Sequence, residues 1–132
     1  MPDDTQQVSE FKSKSGLKRI SSALGYSIDG LRAAWRHEHA FRQELVVVVP
    51  GIVIALLLPV SRLEKVALVA VLLLVLIVEL LNSAVEAVVD RVSFERHPLS
   101  KNAKDLGSAA VLLACLLAAA TWLLVLLPLM GL

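Results

Sequence analysis

The sequence predicts an all-α membrane protein, with an N-terminal amphipathic surface helix followed by three transmembrane helices that pack as a helical bundle. Hydrophobic residues make up 57% of the 132 residues and charged residues 19%, against about 45–50% and about 25% in soluble proteins. The apolar residues are concentrated in three blocks, at 45–61, 66–78 and 106–132. A bilayer core needs about 20 helical residues, so the short second block must continue past Glu79. We therefore expect spans at about 45–60, 66–89 and 106–128.

The elements outside the spans are predicted from polarity and helix signals. Residues 1–15 are polar and low in aromatics, which predicts a mobile tail, and residues 16–132 are predicted to form one membrane-embedded domain. A short amphipathic helix is expected from about 17 to 24, with Gly25 as its C-terminal stop. A second helix is expected over residues 28–49 and a loop over residues 93–100. The last helix is expected to begin at about 101–105.

The positive charges predict the orientation in the membrane. Seven Lys and Arg lie in residues 1–44 and four in 90–105, against two in the 61–65 turn and none after the third span. Because cytoplasmic segments carry the excess of positive charge, we expect the N-terminus and the 90–105 loop in the cytoplasm and the C-terminus outside. The net charge of +1 provides no basic field for nucleic acid, so we expect no nucleic-acid partner.

A stripe of polar residues runs along the second predicted span. Taking 100° per residue, its members fall within an arc of about 100° on an otherwise apolar helix; they are Glu79, Asn82, Ser83, Glu86 and Asp90. Each carboxylate at mid-membrane costs about 2.5–3.5 kcal/mol on insertion scales. The stripe must therefore face other helices, water or cations. Interhelical hydrogen bonding in an oligomer and an ion or proton pathway are the alternatives to a catalytic role.

Glu38 is a second anomaly, because it lies at the centre of an apolar helix face. Pairing with Arg42 one turn later is the simplest account of it. The other account is that Glu38 reaches a buried group at the membrane surface. Carboxylates, an amide and nearby Lys and Arg side chains together suit Mg²⁺ and phosphate chemistry. No G-x-x-x-x-G-K-[ST] or G-x-G-x-x-G motif is present. A phosphotransferase, an ion-conducting peptide and a structural subunit all remain open on composition alone.

The ordered motifs resemble the small prokaryotic diacylglycerol kinase family over about residues 17–122. They are GLRAAW at 30–35, Glu38, AFRQE at 40–44, VELLNSAVEAVVDR at 78–91 and AKDLGSAA at 103–110. The resemblance implies a homotrimeric, three-span enzyme of the bacterial inner membrane with active sites shared between subunits, its C-terminus in the periplasm. It also implies transfer of the γ-phosphate of MgATP to the primary hydroxyl of diacylglycerol, which gives phosphatidic acid.

Carried over by matching position, the resemblance implies roles for named residues. Glu79 is expected to be the general base, with Asn82 orienting Glu79 or phosphate, and Glu38 and Glu86 are expected to hold Mg²⁺ against the ATP phosphates. The nucleotide contacts would be Arg19, Tyr26, Glu38, Glu86, Glu95, Arg96, His97, Lys104 and Asp105. The lipid contacts would be Arg19, Trp35, Ala40, Phe41, Arg42, Gln43, Glu44, Glu79 and Ser108.

There are two alternatives to this interpretation, one of them another lipid kinase and the other a non-enzymatic protein. A sister group in Gram-positive bacteria phosphorylates undecaprenol and shares the Glu-Asn-Glu stripe, but the GLRAAW segment and the FRQE run at 41–44 favour the diacylglycerol branch. The non-enzymatic rival is an ion-conducting or structural membrane subunit.

Overall fold

A computed structural model describes residues 15–92 and 94–132 of the chain. The described chain is helical, in the order α1 (Gly16–His37), α2 (His39–Leu57), α3 (Arg62–Val92) and α4 (Pro98–Leu129). Helix α3 lies between α2 and α4 and packs against both, while α1 packs against α2. The predicted tail falls almost wholly on residues outside the described ones, and Ser15 directly precedes α1.

Helix α1 carries an apolar stripe along its whole length. The stripe residues recur every three or four positions and are exposed: Leu17, Ile20, Leu24, Ile28, Leu31 and Trp35. Because this period continues through Gly25, the helix continues as well, and the predicted stop at Gly25 and separate helix over 28–49 are wrong. A glycine inside a helix costs only about 1 kcal/mol relative to alanine. The amphipathic surface helix is thus confirmed as a single 22-residue element.

The chain leaves the helical conformation at Glu38, which ends α1 and begins α2. Its backbone is extended, with φ −105° and ψ 105°. One guanidinium nitrogen of Arg42 donates to the carbonyl oxygens of Trp35 at 2.7 Å and Arg36 at 3.2 Å. These carbonyls belong to the last turn of α1 and have no partner inside the helix. Arg42 therefore caps α1, and the expected alternative of a Glu38–Arg42 ion pair is absent from the described residues.

A tight turn joins α2 to α3. Helix α2 continues through Pro50 and ends at Leu57, three residues before the predicted end of the first span. Ser61 Oγ accepts from the backbone N–H of Glu64, and Glu64 Oε2 accepts from the N–H of Ser61 at 2.8 Å. This reciprocal pair is a capping box, which satisfies two backbone donors at the start of α3. The ammonium of Lys65 donates to the carbonyl of Leu56 at 2.7 Å and so caps the C-terminal end of α2.

Helices α3 and α4 form the main core of the chain. Val75 of α3 packs against Ala114 and Ala118 of α4, and these small side chains let the two backbones approach closely. Helix α4 begins at Pro98, earlier than the predicted 101–105, so residues 98–100 are not loop. Proline suits the first helical position because its missing N–H has no partner there in any case. His97 caps the helix, since its Nδ1 accepts from the N–H of Leu99 at 3.1 Å.

Three of the helices are long and apolar enough to cross a membrane: His39–Leu57, Arg62–Val92 and Pro98–Leu129. At 1.5 Å per residue, the 19 residues of α2 cover about 28 Å, close to the thickness of a bilayer core. Helices α3 and α4 run to about 46 Å and 48 Å and extend past it by their polar ends. The predicted fold class of an all-α protein with three spans is confirmed.

Candidate active site

Glu79 lies in the C-terminal half of α3, near three other acidic side chains. Glu79 is the only charged residue that is buried in the described part of the chain, with 6% of its surface exposed. Its carboxylate interacts electrostatically with those of Glu86 and Glu38, and Glu44 of α2 interacts with it in turn. We call these four residues the acidic cluster. None of the four takes part in the three ion pairs between described residues, although Lys104, which pairs with Asp90, interacts electrostatically with Glu86.

Asn82 forms a hydrogen bond with one member of the acidic cluster. Its side-chain nitrogen donates to Glu86 Oε1 at 3.2 Å, while its side-chain oxygen is buried without a hydrogen-bond partner. Asn82 and Glu86 lie one helical turn apart on the same face of α3, which makes this bond local. The sequence predicted that Asn82 orients Glu79 or phosphate. Within one chain, its observed partner is Glu86.

A groove opens between the end of α3 and the start of α4. Its volume is about 750 Å³, within the range of small-molecule sites. Four of the predicted nucleotide contacts line it, which are Glu95, Arg96, His97 and Lys104. We call this space the loop groove. Asp90, the last member of the polar stripe, lies on the same wall one turn beyond Glu86, so the groove and the acidic cluster adjoin along α3.

Two lysines of the loop groove form ion pairs with carboxylates of the same chain. Lys104 Nζ lies 2.7 Å from Asp90 Oδ1, and Lys101 Nζ lies 2.5 Å from Asp105 Oδ2. Lys104 and Asp105, although adjacent in sequence, therefore pair with other residues and not with each other. Both observed pairs are about half exposed or more, and exposed ion pairs contribute about 0–1 kcal/mol. An anionic ligand can therefore displace either carboxylate at low cost.

An apolar cavity adjoins the acidic cluster on the side of Leu72 and Val75 of α3. It encloses about 370 Å³ between α2, α3 and α4, and Glu44 and Gln43 are its polar members. Val47, Leu72 and Val75 line its apolar wall. Glu44 Oε2 is buried without a hydrogen-bond partner. The cavity thus combines a largely apolar wall with a carboxylate oxygen that is free to accept a hydrogen bond.

Comparison with known proteins decides the family. The family model for prokaryotic diacylglycerol kinase matches residues 25–126, which include every helix in whole or in part. The chain belongs to the prokaryotic diacylglycerol kinase family. The resemblance expected from the motifs is thereby confirmed, and the chain is a membrane protein of a kinase family.

Relatives in this family share most of the chain. A diacylglycerol kinase of Pseudomonas aeruginosa is 59% identical over 119 residues, which cover 90% of this chain and 97% of the relative. That of Escherichia coli K12 is 54% identical over 112 residues, covering 85% and 92%. That of Haemophilus influenzae is 41% identical over 108 residues, covering 82% and 92%. The segment that the family model matches, residues 25–126, contains the acidic cluster, the loop groove and the apolar cavity.

The fold of this family member brings only part of the predicted site together within one chain. Ala40, Gln43 and Glu44 line the apolar cavity, whereas Trp35 and Phe41 line a separate space of about 530 Å³ in the angle between α1 and α2. Arg42 lies in that angle as well, but its guanidinium caps α1. The predicted contacts on the exposed surfaces of α1 and α4 are apart from these spaces; they are Arg19, Tyr26 and Ser108.

Asp90 was missed as a site residue by the sequence reasoning. It belongs to the polar stripe and holds Lys104 across the loop groove. Its angular position on the stripe, about 20° from Glu79, was the available signal. Lys101, which the sequence suggested as a phosphate contact together with Lys104, Arg19 and Arg96, pairs with Asp105 at the i,i+4 spacing that favours an ion pair.

The acidic cluster fits a divalent cation that is shared with a phosphate ligand. Within residues 15–92 and 94–132, no three His, Cys, Asp or Glu side chains converge closely enough to hold a metal ion by themselves. Mg²⁺ commonly takes one or two carboxylates, with substrate phosphates and water as its other ligands. Glu38 and Glu86 both interact with Glu79 and have no ion-pair partner among described residues. Two carboxylates are therefore enough for a magnesium ion whose other ligands come from phosphate and water, but not for a site in which the protein supplies every ligand.

Proposed function

We propose that this chain transfers the γ-phosphate of ATP to the primary hydroxyl of diacylglycerol and forms phosphatidic acid. The observation that carries the proposal is the buried carboxylate of Glu79, which forms no ion pair with a described residue and lies at the centre of an acidic cluster. Burying such a group costs several kcal/mol. A position of this kind is expected where a carboxylate is needed for chemistry.

Glu79 is proposed as the general base. The lipid hydroxyl attacks the γ-phosphorus, the bond from that phosphorus to the β,γ-bridging oxygen breaks, and the hydroxyl proton passes to the Glu79 carboxylate. ADP and phosphatidic acid are the products. Phosphoryl transfer asks a protein mainly for positioning and charge neutralisation. Magnesium, held by Glu38 and Glu86, would supply the neutralisation of the phosphate charge.

The loop groove is proposed to bind the nucleotide. Its volume and its Lys, Arg and His side chains suit a triphosphate. Lys104 is proposed to exchange its Asp90 partner for phosphate, since the pair is exposed and therefore weak. Asp90 lies one turn from Glu86, so a triphosphate in the groove would extend toward the acidic cluster.

The lipid is proposed to reach the cluster from the membrane side. The apolar cavity suits the glycerol end of an acyl lipid, and Glu44, which interacts with Glu79, provides an acceptor for a hydroxyl group there. Trp35 and Phe41 are proposed to contact lipid in the angle of α1 and α2.

A homotrimer with shared active sites is proposed as the working unit. Two observations support it. Helix α1, which carries Arg19 and Tyr26, packs mainly against α2 of its own chain. The spanning helices also leave most of their apolar surface exposed. A neighbouring subunit would place α1 residues beside the loop groove and cover part of that surface. We propose the bacterial inner membrane as its site, with the N-terminus and loop groove in the cytoplasm and the C-terminus in the periplasm.

The deciding experiment compares two lipid alcohols in mixed micelles. The purified protein is given radiolabelled ATP and Mg²⁺ with either diacylglycerol or undecaprenol. We expect rapid labelling of diacylglycerol and little of undecaprenol. A strong preference for undecaprenol would move the protein to the sister group. No transfer to either lipid by a folded protein would refute a lipid kinase, and ion flux through protein-containing liposomes without ATP would then support the channel alternative.

A further inference from the structure

Gly107 of α4 packs directly against the side chain of Asn82. A β-carbon added to Gly107 would overlap the Asn82 side-chain oxygen, and it would lie 3.2 Å from Asn82 Cγ. The oxygen therefore occupies the space that any other residue at 107 would fill with its side chain. Helices α3 and α4 approach this closely beside the acidic cluster because position 107 has no side chain.

The contact with Gly107 sets where the Asn82 amide lies, and its hydrogen bond to Glu86 sets which way the amide points. With its oxygen against the backbone of α4, its nitrogen faces Glu86 and donates to Oε1 at 3.2 Å. The reverse orientation would set an amide oxygen against a carboxylate oxygen, and both are acceptors. The hydrogen bond thus determines the orientation of the amide, and the close contact with Gly107 determines its position. Asn82 can hold Glu86 only while the space beside Gly107 is open.

We propose that Gly107 is a positioning residue that acts through Asn82: the absence of its side chain leaves the amide in the place from which it bonds Glu86, a role that rests on the proposed phosphotransfer function. Alanine at this position displaces the amide and leaves the Glu86 carboxylate without its donor. The carboxylate is then free to turn away from the position that the phosphate ligand requires.

Gly51 provides a matched control, because it is the other glycine at a close approach between helices. A β-carbon there would lie 2.8 Å from Leu72 Cδ1 and 3.9 Å from the Trp122 ring. Its nearest neighbour is the flexible end of an apolar side chain. The same substitution at positions 51 and 107 therefore perturbs helix packing in both cases, but only position 107 touches a polar group bonded to the acidic cluster.

The kinetic test compares Gly107→Ala with Gly51→Ala. We expect Gly107→Ala to lower kcat by about 100-fold, the scale of a displacement of about 1 Å in a catalytic group. KM for diacylglycerol should stay within about twofold, and the Mg²⁺ concentration for half-maximal rate should rise. Gly51→Ala should keep the wild-type Mg²⁺ requirement. Equal Mg²⁺ curves for Gly107→Ala and wild type, or the same shift in both variants, would overturn the inference.

A second test does not depend on activity. The chain contains two asparagines, Asn82 and Asn102, and Asn102 is exposed. In the full chain labelled with ¹⁵N-asparagine in detergent micelles, Gly107→Ala should shift the Asn82 side-chain resonances and leave those of Asn102 in place. Gly51→Ala should shift neither. Unchanged Asn82 resonances in Gly107→Ala refute the inference whatever the activity is. An inactive wild-type protein would instead count against the proposed function.

A double variant covers the case in which Gly107→Ala does not fold. Combining it with Asn82→Ala removes the side chain that the new β-carbon would overlap. We expect the double variant to fold and to be no less stable than Asn82→Ala alone. The destabilising effects of substitutions at two contacting residues do not add, because the clash at 107 disappears with the Asn82 side chain. A double variant that also fails to fold would show that the β-carbon meets something other than Asn82.

Discussion

The acidic cluster and the loop groove adjoin along α3, but they differ in whether their charged side chains form ion pairs. In the loop groove two lysines have carboxylate partners: Lys104 pairs with Asp90, and Lys101 pairs with Asp105. In the acidic cluster, no described residue supplies a cation to Glu79, which is nearly fully buried. Exposed pairs cost little to keep or to exchange. A buried carboxylate without a partner is expensive, so it points to chemistry where a paired surface charge does not.

The largest effect is expected at the centre of the acidic cluster. Glu79→Gln should lower kcat by about 10²–10⁴-fold because a general base is lost. Unfolding should not become easier, since an amide costs less to bury than a carboxylate. Activity in mixed micelles and thermal unfolding in the same detergent measure the two quantities.

Glu64→Gln is the matched control for this substitution. Glu64 lies on the same helix, but at its other end, where it caps α3 through Ser61. The change should leave kcat unaltered. If Glu79→Gln turned over at the wild-type rate, the contrast between the two regions would lose its functional meaning.

Glu38 and Glu86 should affect metal use. Glu38→Gln and Glu86→Gln should each raise the Mg²⁺ concentration for half-maximal rate by at least about tenfold, since each removes one anionic oxygen ligand. Mg²⁺ titrations at saturating ATP measure this. Unchanged titrations in both variants would exclude them as the metal ligands.

A smaller effect is expected in the loop groove. Lys104→Gln should raise KM for ATP by about tenfold, the equivalent of one charge-assisted hydrogen bond, with a smaller change in KM for diacylglycerol. Lys65→Gln is the control, because Lys65 closes the end of α2 near the opposite end of α3. Equal effects of both substitutions on KM for ATP would argue that the groove does not bind the nucleotide.

The smallest effect is expected at Arg42, whose guanidinium caps α1 outside both regions. Arg42→Gln should destabilise the protein by about 0.3–1 kcal/mol, the usual worth of a cation at a helix C-terminus. A modest loss of activity should follow because Glu38 lies in the break that Arg42 stabilises. Denaturation monitored by circular dichroism measures the first effect. A large loss of activity without loss of stability would instead favour direct contact with lipid.

Periodic features were predictable from the sequence. The three spans follow from apolar length, and the polar stripe follows from the 3.6-residue period, because both are properties of one helix at a time. The helix ends were less predictable. Gly25 signals a stop but lies inside α1, where the apolar stripe continues, and the break falls at Glu38, which carries no breaker signal. Its cap comes from Arg42, on the next helix.

The amino-acid order by itself determined that this chain crosses a membrane, that it carries acids there, and which family motifs it contains. The tertiary structure alone decided which groups meet across helices. It paired Lys104 with Asp90, fourteen residues away, and set Gly107 against Asn82. It also made Glu79 the centre of the acidic cluster. The physical reason is that such contacts depend on how closely and in which register α2, α3 and α4 pack, and side chains from all three helices fix that together.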